Sequence, residues 1–516
     1  MPSTPRGCSG GKHELTLSGS LGPAGVLGPQ GPISESKKES LMLPVNRRRF
    51  CGRLLAAGAL SLMGLERSRN RLACADPLPG KGPLKDVPSP VAPRHNPLPR
   101  ITDIEFHEVY IPYHDYNAKV LLRYHGLKFP LRTILIVKTD SGLEGYGELW
   151  GSAPAPETFS KYVGTSPFDW IAGGDQIGMD VALYDLMGKH LGLPAWKLLG
   201  PKVREWVPVA AWTVPQPPDA MAEEVRNVAR RGFHWLKYHV DELQNVVDQT
   251  RAMDKAAPPG FKVLYDFNGT SNLEAVYPVL RDLERFAVAG RIEDPIKAED
   301  RDGYRLLRQK CRLPILIHHG PDDFMIENLC DGRLFGHSPV GSAIKSSAIA
   351  EACGKPFMLQ QIGGTINQAF LAHEAAVFKM ATLDHVNGCS LWKDDVTVET
   401  MPVVGGSVKV LEKPGIGVTI DREKLSRYEK APRPTQSRFL VRTRYASGLT
   451  LYLRHDADKP GATSALRALH PPHVPGPAPS YANPVVSDFW DEEGKPEFER
   501  MWKETESGPA WTEARA

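Results

Sequence analysis

This sequence of 516 residues holds little cysteine, no surplus of one charge and no long apolar run. Its 7 cysteines comprise Cys8, Cys51 and Cys74 near the start, then Cys311, Cys330, Cys353 and Cys389, which show no CxxC spacing. That scatter excludes a zinc knuckle and a disulfide framework, and the four later cysteines read as small core fillers. The 63 Lys and Arg nearly cancel the 60 Asp and Glu, leaving a net charge of +3. No nucleic acid and no acidic partner is called for by such a balance. The apolar run Leu54–Leu65 is too short to span a bilayer, so no membrane span is expected in the mature chain. Glycine (47) and proline (46) are plentiful, and many of the prolines lie toward the two ends, which read as linkers or tails.

Residues 1–99 read as a leader. Met1–Leu43 is rich in Gly, Ser and Pro and has no periodicity. Asn46-Arg47-Arg48-Arg49-Phe50, the run Leu54–Leu65 and the small-x-small site Ala73-Cys74-Ala75 resemble a twin-arginine export signal. The periplasm is the expected location, with the cytoplasm as the alternative. Asp76–Pro99 is a Pro-rich linker.

The middle of the chain is built on repetition. Apolar runs recur at Trp206–Trp212, His234–Val240, Lys262–Asn268, Gly290–Ile296, Pro314–Gly320, Arg333–Pro339, Pro356–Ile362 and His385–Leu391, with a helix-like segment in each gap. The first four runs start 28 residues apart. This alternation predicts an α/β fold, a parallel (β/α)8 barrel of TIM type over residues 201–412. Amphipathic segments such as Ala220–Arg231, Leu243–Ala257, Leu273–Phe286 and Ile366–Met380 are expected to pack outside its strands. Residues 100–200 predict a small α+β unit with strands Ile101–Ile111, Thr133–Thr139 and Leu143–Leu149 and a helix over Asp175–Leu191 that Gly192 stops. Two polar-aromatic stretches, Tyr110–His125 and Trp150–Tyr162, are candidate lids, with plain surface loops as the alternative. A barrel enzyme keeps its chemistry at the C-terminal ends of its strands. Those ends carry Lys237 and His239, Asp266 and Asn268, Glu293, and His318 and His319. Carboxylates and imidazoles converging on one mouth suit a divalent metal.

Several motifs occur in a telling order: Thr139–Glu148, the helix Asp180–Lys189 leading to Leu198-Leu199-Gly200, Lys237-x-His239, Asp266-x-Asn268, Glu293-Asp294-Pro295 and Lys413–Val418. Together they resemble the enolase superfamily, in its mandelate racemase/muconate lactonizing enzyme branch, over roughly residues 100 to 428. The resemblance implies a modified barrel with an N-terminal α+β capping domain and a return segment at 413–430. It also implies a reaction in which a Lys or His removes the proton α to a carboxylate while Mg2+ stabilises the enediolate. By that resemblance Asp266 and Glu293 are metal ligands. The third ligand, commonly a carboxylate, falls on His319, 26 residues past Glu293. An imidazole there suits Mn2+, Fe2+ or Zn2+ better than Mg2+. Strand alternation lets only one of His318 and His319 face inward.

Lys237 and His239 share one side of their strand, with Tyr238 between them. The family pattern implies His239 as the base and Lys237 as its electrostatic partner; a purely structural pairing of Lys237 with Asp266 is the alternative. His337 is the candidate second acid/base. Asn268 and Gln361, or Gln360 in its stead, are candidates for binding substrate. Sugar-acid dehydration is the first expectation, because one base and one acid suffice to expel a β-hydroxyl. Racemisation, epimerisation or cycloisomerisation is the second, and a non-catalytic barrel that binds acid metabolites is the rival from another class. The expected partner is a small carboxylic acid, and the family's habit implies a homo-oligomer.

Residues 431–516 lie beyond the resemblance. They predict a hairpin, Phe439–Arg444 and Thr450–Arg454 across Ser447-Gly448, then a linker over Pro471–Pro479 and an acidic, aromatic tail over Tyr481–Trp511. The leader yields a direct test. Replacing Arg47 and Arg48 with Lys is expected to strand the chain in the cytoplasm on cell fractionation. Undiminished periplasmic recovery of that variant removes the export reading.

Overall fold

The computed structural model describes residues 97–126, 130–240, 245–454, 477 and 483–513. The export signal, its cleavage site, the linker after it and Cys8, Cys51 and Cys74 lie outside the described residues, as does most of the linker over Pro471–Pro479.

The chain first lays down an antiparallel sheet, β1 (Ile101–Tyr110), β2 (Leu131–Thr139) and β3 (Glu144–Trp150), with β2 in the centre. Between β1 and β2 it forms the helix α1 (Asp115–His125). The helix α2 (Ile177–Leu191) packs Met179, Ala182, Leu183 and Leu186 against Leu135 and Val137 of β2. It ends at Gly192, which takes the left-handed conformation. The short α3 (Trp196–Leu199) leads into the barrel.

All the expected apolar runs become barrel strands: β4 (Trp206–Thr213), β5 (Trp235–His239), β6 (Lys262–Asp266), β7 (Ala289–Glu293), β8 (Ile315–Ile317), β9 (Gly332–Gly336), β10 (Phe357–Gln360) and β11 (His385–Val386). Each is parallel to the next, and β11 closes on β4. The helices between them are α4 (Pro218–Arg230), α5 (Asn245–Ala256), α6 (Leu273–Leu283), α7 (Arg301–Lys310), α8 (Asp323–Ile326), α9 (Val340–Cys353) and α10 (Thr365–Val377). Strand alternation decides what each residue meets. Leu236, Tyr238, Val263 and Tyr265 join the core shared with the helices, whereas Leu264, Leu316, Leu334 and Met358 join the cluster inside the barrel.

β12 (Ser407–Lys409) pairs antiparallel with β4, and α11 (Arg422–Glu429) returns to the cap, where Glu429 lies 2.6 Å from His107 of β1. The hairpin β13 (Leu440–Tyr445) and β14 (Thr450–Leu453) is joined by β15 (Val485–Trp490) and β16 (Ala510–Thr512) into one sheet of order β15-β13-β14-β16. α12 (Pro496–Glu504) covers it, burying Phe498 and Met501 against Leu440 and Trp490. The aromatic tail thus completes a small domain. Among the described residues no helix is long and apolar enough to cross a membrane.

Cap and barrel are joined by buried charge. Arg132 of β2 donates to Glu148 of β3 at 2.7 Å and to Asp395 at 3.0 Å, and its guanidinium lies over the Trp392 ring. Glu148 accepts the Gly364 N–H at 2.9 Å, and Asp395 accepts that of Thr365, at the first turn of α10. A helix N-terminus favours anions, so both carboxylates suit that place. Only glycine fits at 364, since a Cβ there lies 1.9 Å from Arg132 Nη1. Arg132→Ala leaves Glu148 buried and uncompensated, which costs about 3–5 kcal/mol. A clear fall in the thermal unfolding midpoint is expected; an unchanged midpoint shows that the joint contributes nothing to stability.

Candidate active site

The register of three strands assembles the centre. His239 of β5 lies beside Asp266 of β6, and Asp266 beside Glu293 of β7. Two residues earlier on β5, Lys237 also points inward. Its Nζ donates to Glu293 at 2.8 Å and to Gln360 at 2.9 Å, and lies 3.2 Å from Asp266 Oδ2. All three charged side chains are at most 1% exposed. Burial opposes the ammonium, but Asp266 and Glu293 outweigh it and hold the Lys237 pKa above its ordinary value. Glu293 is pushed well above the usual carboxylate range, first by burial and then by the like charge of Asp266, more than Lys237 restores. The carboxylates here call for more positive charge than one ammonium provides.

The histidine pair follows β8. Leu316 faces inward, so alternation turns His318 inward and His319 out. His318 Nδ1 lies 3.2 Å from Glu293 Oε1, whereas His319 is 58% exposed and reaches Asp294 at 2.5 Å. The expected third ligand, His319, thus faces Asp294, and both histidines lie with Asp294 in a group that could hold a metal. Counting intervals selected His319, but the imidazole against Glu293 is His318. Burial, with help from Lys237, pushes the His318 pKa down to about 3, so its ring is neutral as a metal ligand must be. Its Nε2 sits over Gly336, where a Cβ would lie 2.2 Å away. Asp294 fixes this turn by accepting the backbone N–H groups of His318 at 2.7 Å and His319 at 3.1 Å.

Asn268, Asp294 and His337, all just past strand ends, adopt positive φ of 53°, 43° and 48°. Such backbone costs roughly 1–3 kcal/mol per residue and gathers at functional sites. Asn268 turns back on Asp266: its N–H meets Oδ1 at 2.9 Å, and its amide donates to the Asp266 carbonyl at 3.2 Å. It shapes the strand end of Asp266. Gln361 does not take the substrate-facing place expected of it, because its side chain points outward and donates to buried Glu374 of α10. Gln360 holds the inward place, on Lys237. His337 stacks under Trp150 at 6.3 Å, and burial lowers its pKa to about 4.

Both stretches expected as lids contact mouth residues: Trp150 covers His337, and α1 covers His239. Tyr124 OH lies 3.4 Å from His239 Nδ1, while His239 Nε2 lies 3.4 Å from Asp266 Oδ2. His125 stacks on Trp212, which meets the His239 ring edge-on at 5.1 Å. The same turn of α1 is gripped from behind by the C-terminal domain. Gln436 donates to the Leu122 carbonyl at 3.2 Å, Arg123 pairs with Asp491 and lies over Phe439, and Lys119 reaches Asp491 at 2.6 Å. Tyr124 and His125 went unassigned from sequence, His318 was named there only as one of the strand-end imidazoles, and Asp294 only within its motif. The flagged aromatic stretch and the His318–His319 doublet were the available signals.

The residues fit a divalent cation. Glu293 Oε2 and His318 Nδ1 are buried with no hydrogen-bond partner among the described residues. Ligand atoms of Asp266, Glu293 and Asp294 lie within 4.8 Å of one another, as do those of Asp294, His318 and His319. Asp266, Glu293 and His318 would hold the ion, with Asp294 buttressing the histidine. Removing even a residue that only supports a ligand typically weakens metal binding about 10–100-fold. By calorimetry His318→Ala is expected to lose at least about tenfold in Mn2+ affinity, and His319→Ala much less. The reverse order returns the third position to His319.

Relatives carry the same architecture. The family model described as enolase C-terminal domain-like matches residues 220–424. A D-galactonate dehydratase of Xanthomonas axonopodis pv. citri is 28% identical over 362 residues, which span 60% of this chain and 94% of that protein. Among solved structures, an isomerase from Streptomyces coelicolor A3(2) is 25% identical with a TM-score of 0.53, over 64% of this chain and 99% of that one. The muconate lactonizing enzyme from Pseudomonas putida, 20% identical over 64% of this chain and 99% of its own, has a TM-score of 0.54 and shares the fold. With its closed barrel, its cap and its inward carboxylates on adjacent strands, the chain is similar to enolase C-terminal domain-like proteins over residues 220–424 and shares the fold of the muconate lactonizing enzyme.

Proposed function

We propose that this enzyme dehydrates an acid sugar of the aldonic type, with His239 removing the proton α to the carboxylate. The observation that carries the proposal is the placement of His239, in register with Asp266 and Glu293 and roofed by α1. The D-galactonate dehydratases that this chain resembles over almost their whole length support the substrate class.

A proton beside a carboxylate is only weakly acidic, and its removal places charge on both carboxylate oxygens. A divalent cation, which Asp266, Glu293 and His318 would hold, would supply Lewis-acid stabilisation of that charge. Mg2+ is the family's ion, and the imidazole of His318 favours Mn2+, Fe2+ or Zn2+ as the alternative. Lys237 brings a fixed ammonium to the floor of the same pocket, where low dielectric strengthens its effect. Gln360 steadies it by accepting one of its hydrogens. The roof of Tyr124, His125 and Trp212 limits water around His239, so the imidazole competes for the proton with little solvent. We also propose that the mature enzyme works in the periplasm, a reading supported by the twin arginines at Arg47 and Arg48.

In D2O with Mg2+, the wild type is expected to turn over D-galactonate or a related aldonic acid and to place deuterium at the α-carbon of recovered substrate, followed by NMR. A positioned base contributes about 10²–10⁴-fold, and His239→Asn should lose that much. Turnover by His239→Asn within threefold of wild type, about 0.65 kcal/mol in barrier height, moves the base elsewhere.

A further inference from the structure

The helix over the mouth is not stable by itself. α1 has 11 residues, a length at which an isolated helix is marginal in water, and no side chain caps its N-terminus among the described residues. It also carries Lys119 and Arg123 one turn apart, and like charges at that spacing repel. Asp491 meets both. Its Oδ2 lies 2.6 Å from Lys119 Nζ and accepts from Arg123 Nη2. Repulsion along α1 thereby becomes attraction to the C-terminal domain. Arg123 is 7% exposed, donates also to Ser437 at 3.4 Å and lies over the Phe439 ring. Burial opposes the Asp491 charge, yet Lys119 and Arg123 outweigh it and hold its pKa below the ordinary value. Asp491 is itself fixed, since it directly follows Trp490, the last residue of β15, whose ring packs on Phe498 at 5.2 Å.

The two ends of α1 are held differently. Its start is tied to the barrel: the His114 N–H donates to the Leu391 carbonyl at 3.1 Å, and the Lys393 N–H to that of Pro112 at 2.9 Å. Its later turns meet the C-terminal domain at Lys119, Arg123 and the Leu122 carbonyl. Those turns also carry Tyr124 and His125, whose rings stand 6.3 Å and 6.5 Å from that of His239. A helix tied at one end and clamped at the other is a strap across the mouth. We propose that Asp491 is a positioning residue: acting chiefly through Arg123, it keeps the last turns of α1 over His239 and so sets how closely the mouth holds its substrate. For the identity of that substrate the proposal rests on the dehydration reading above. Lys237, His239, Asp266 and Glu293 stand on barrel strands whose register is fixed by strand pairing. Loosening the strap therefore weakens substrate binding and spares the chemical step.

The test compares Mg2+-loaded wild type, Asp491→Asn, Arg123→Met and the double variant. Circular dichroism and metal stoichiometry establish that each is folded. Diethyl pyrocarbonate labelling, read by peptide mass spectrometry, compares His239 with His234, which is exposed just before the other end of the same strand. Asp491→Asn is expected to raise the His239 rate at least about threefold relative to His234, by opening α1 locally. With D-galactonate its KM is expected to rise about tenfold while kcat stays within about threefold of wild type. In the Arg123→Met background the same change is expected to add almost nothing, because the two residues act as one unit. Unchanged labelling of His239 in folded Asp491→Asn overturns the proposal. So do effects of the two single variants that add in full, since Asp491 then acts by another route. A loss of kcat as large as the rise in KM also overturns it, marking Asp491 as general support for the fold. A wild type that turns over no aldonic acid overturns the dehydration reading itself, and the labelling still decides the role of Asp491.

Discussion

Asp266 and Glu293 end two neighbouring strands and Asp294 follows directly, each at most 1% exposed, and their mutual repulsion is the constraint around which the centre is arranged. Each carboxylate is met in its own way. Asp294 is consumed by two backbone N–H groups and the His319 ring. Asp266 and Glu293 share Lys237, a residue that tolerates full burial only because two acids face it. The alternating pattern of β5 follows from this need: lysine and histidine inward, tyrosine outward onto Gln249 of α5. What remains over is negative charge beside a neutral imidazole, which is the chemistry of a cation site.

A second principle is division of labour between layers. The barrel gives the floor, built from residues fixed by strand register. The cap gives the roof, and one ionic joint ties it to the barrel, Arg132 with Glu148 and Asp395 at the first turn of α10. Burial raises the Glu148 pKa, whereas at Asp395 burial is outweighed by Arg132 and backbone donors, and its pKa is lowered.

The barrel was legible because its signal is repetitive: apolar runs at steady intervals specify strands whatever surrounds them. The site was legible where register settles it, at Lys237, His239, Asp266 and Glu293, since same-side spacing on adjacent parallel strands leaves few arrangements. It was less legible where a strand ends early. β8 stops at Ile317, and the choice between His318 and His319 turns on which residue of that short strand faces in, which interval counting does not register. The same parity decides between Gln360 and Gln361. Tyr124 was hidden for another reason. Its partner lies 115 residues away in a different layer, and no local pattern reports such a contact. The tail read as acidic and aromatic, but strands β15 and β16 are defined only by pairing with β13 and β14.

The grip of the C-terminal domain on α1 has a consequence for how the molecule comes into being. Arg123 and Asp491 are 368 residues apart, and Leu122 and Gln436 are separated by 314. During synthesis the chain emerges from its N-terminus, and domains fold as they appear. The barrel floor is therefore complete while the segment that secures the roof has yet to be made. Contacts so distant in sequence close late. Competence arrives last, with the final strands, and a chain cut short before them retains the floor but lacks the contacts that hold its roof.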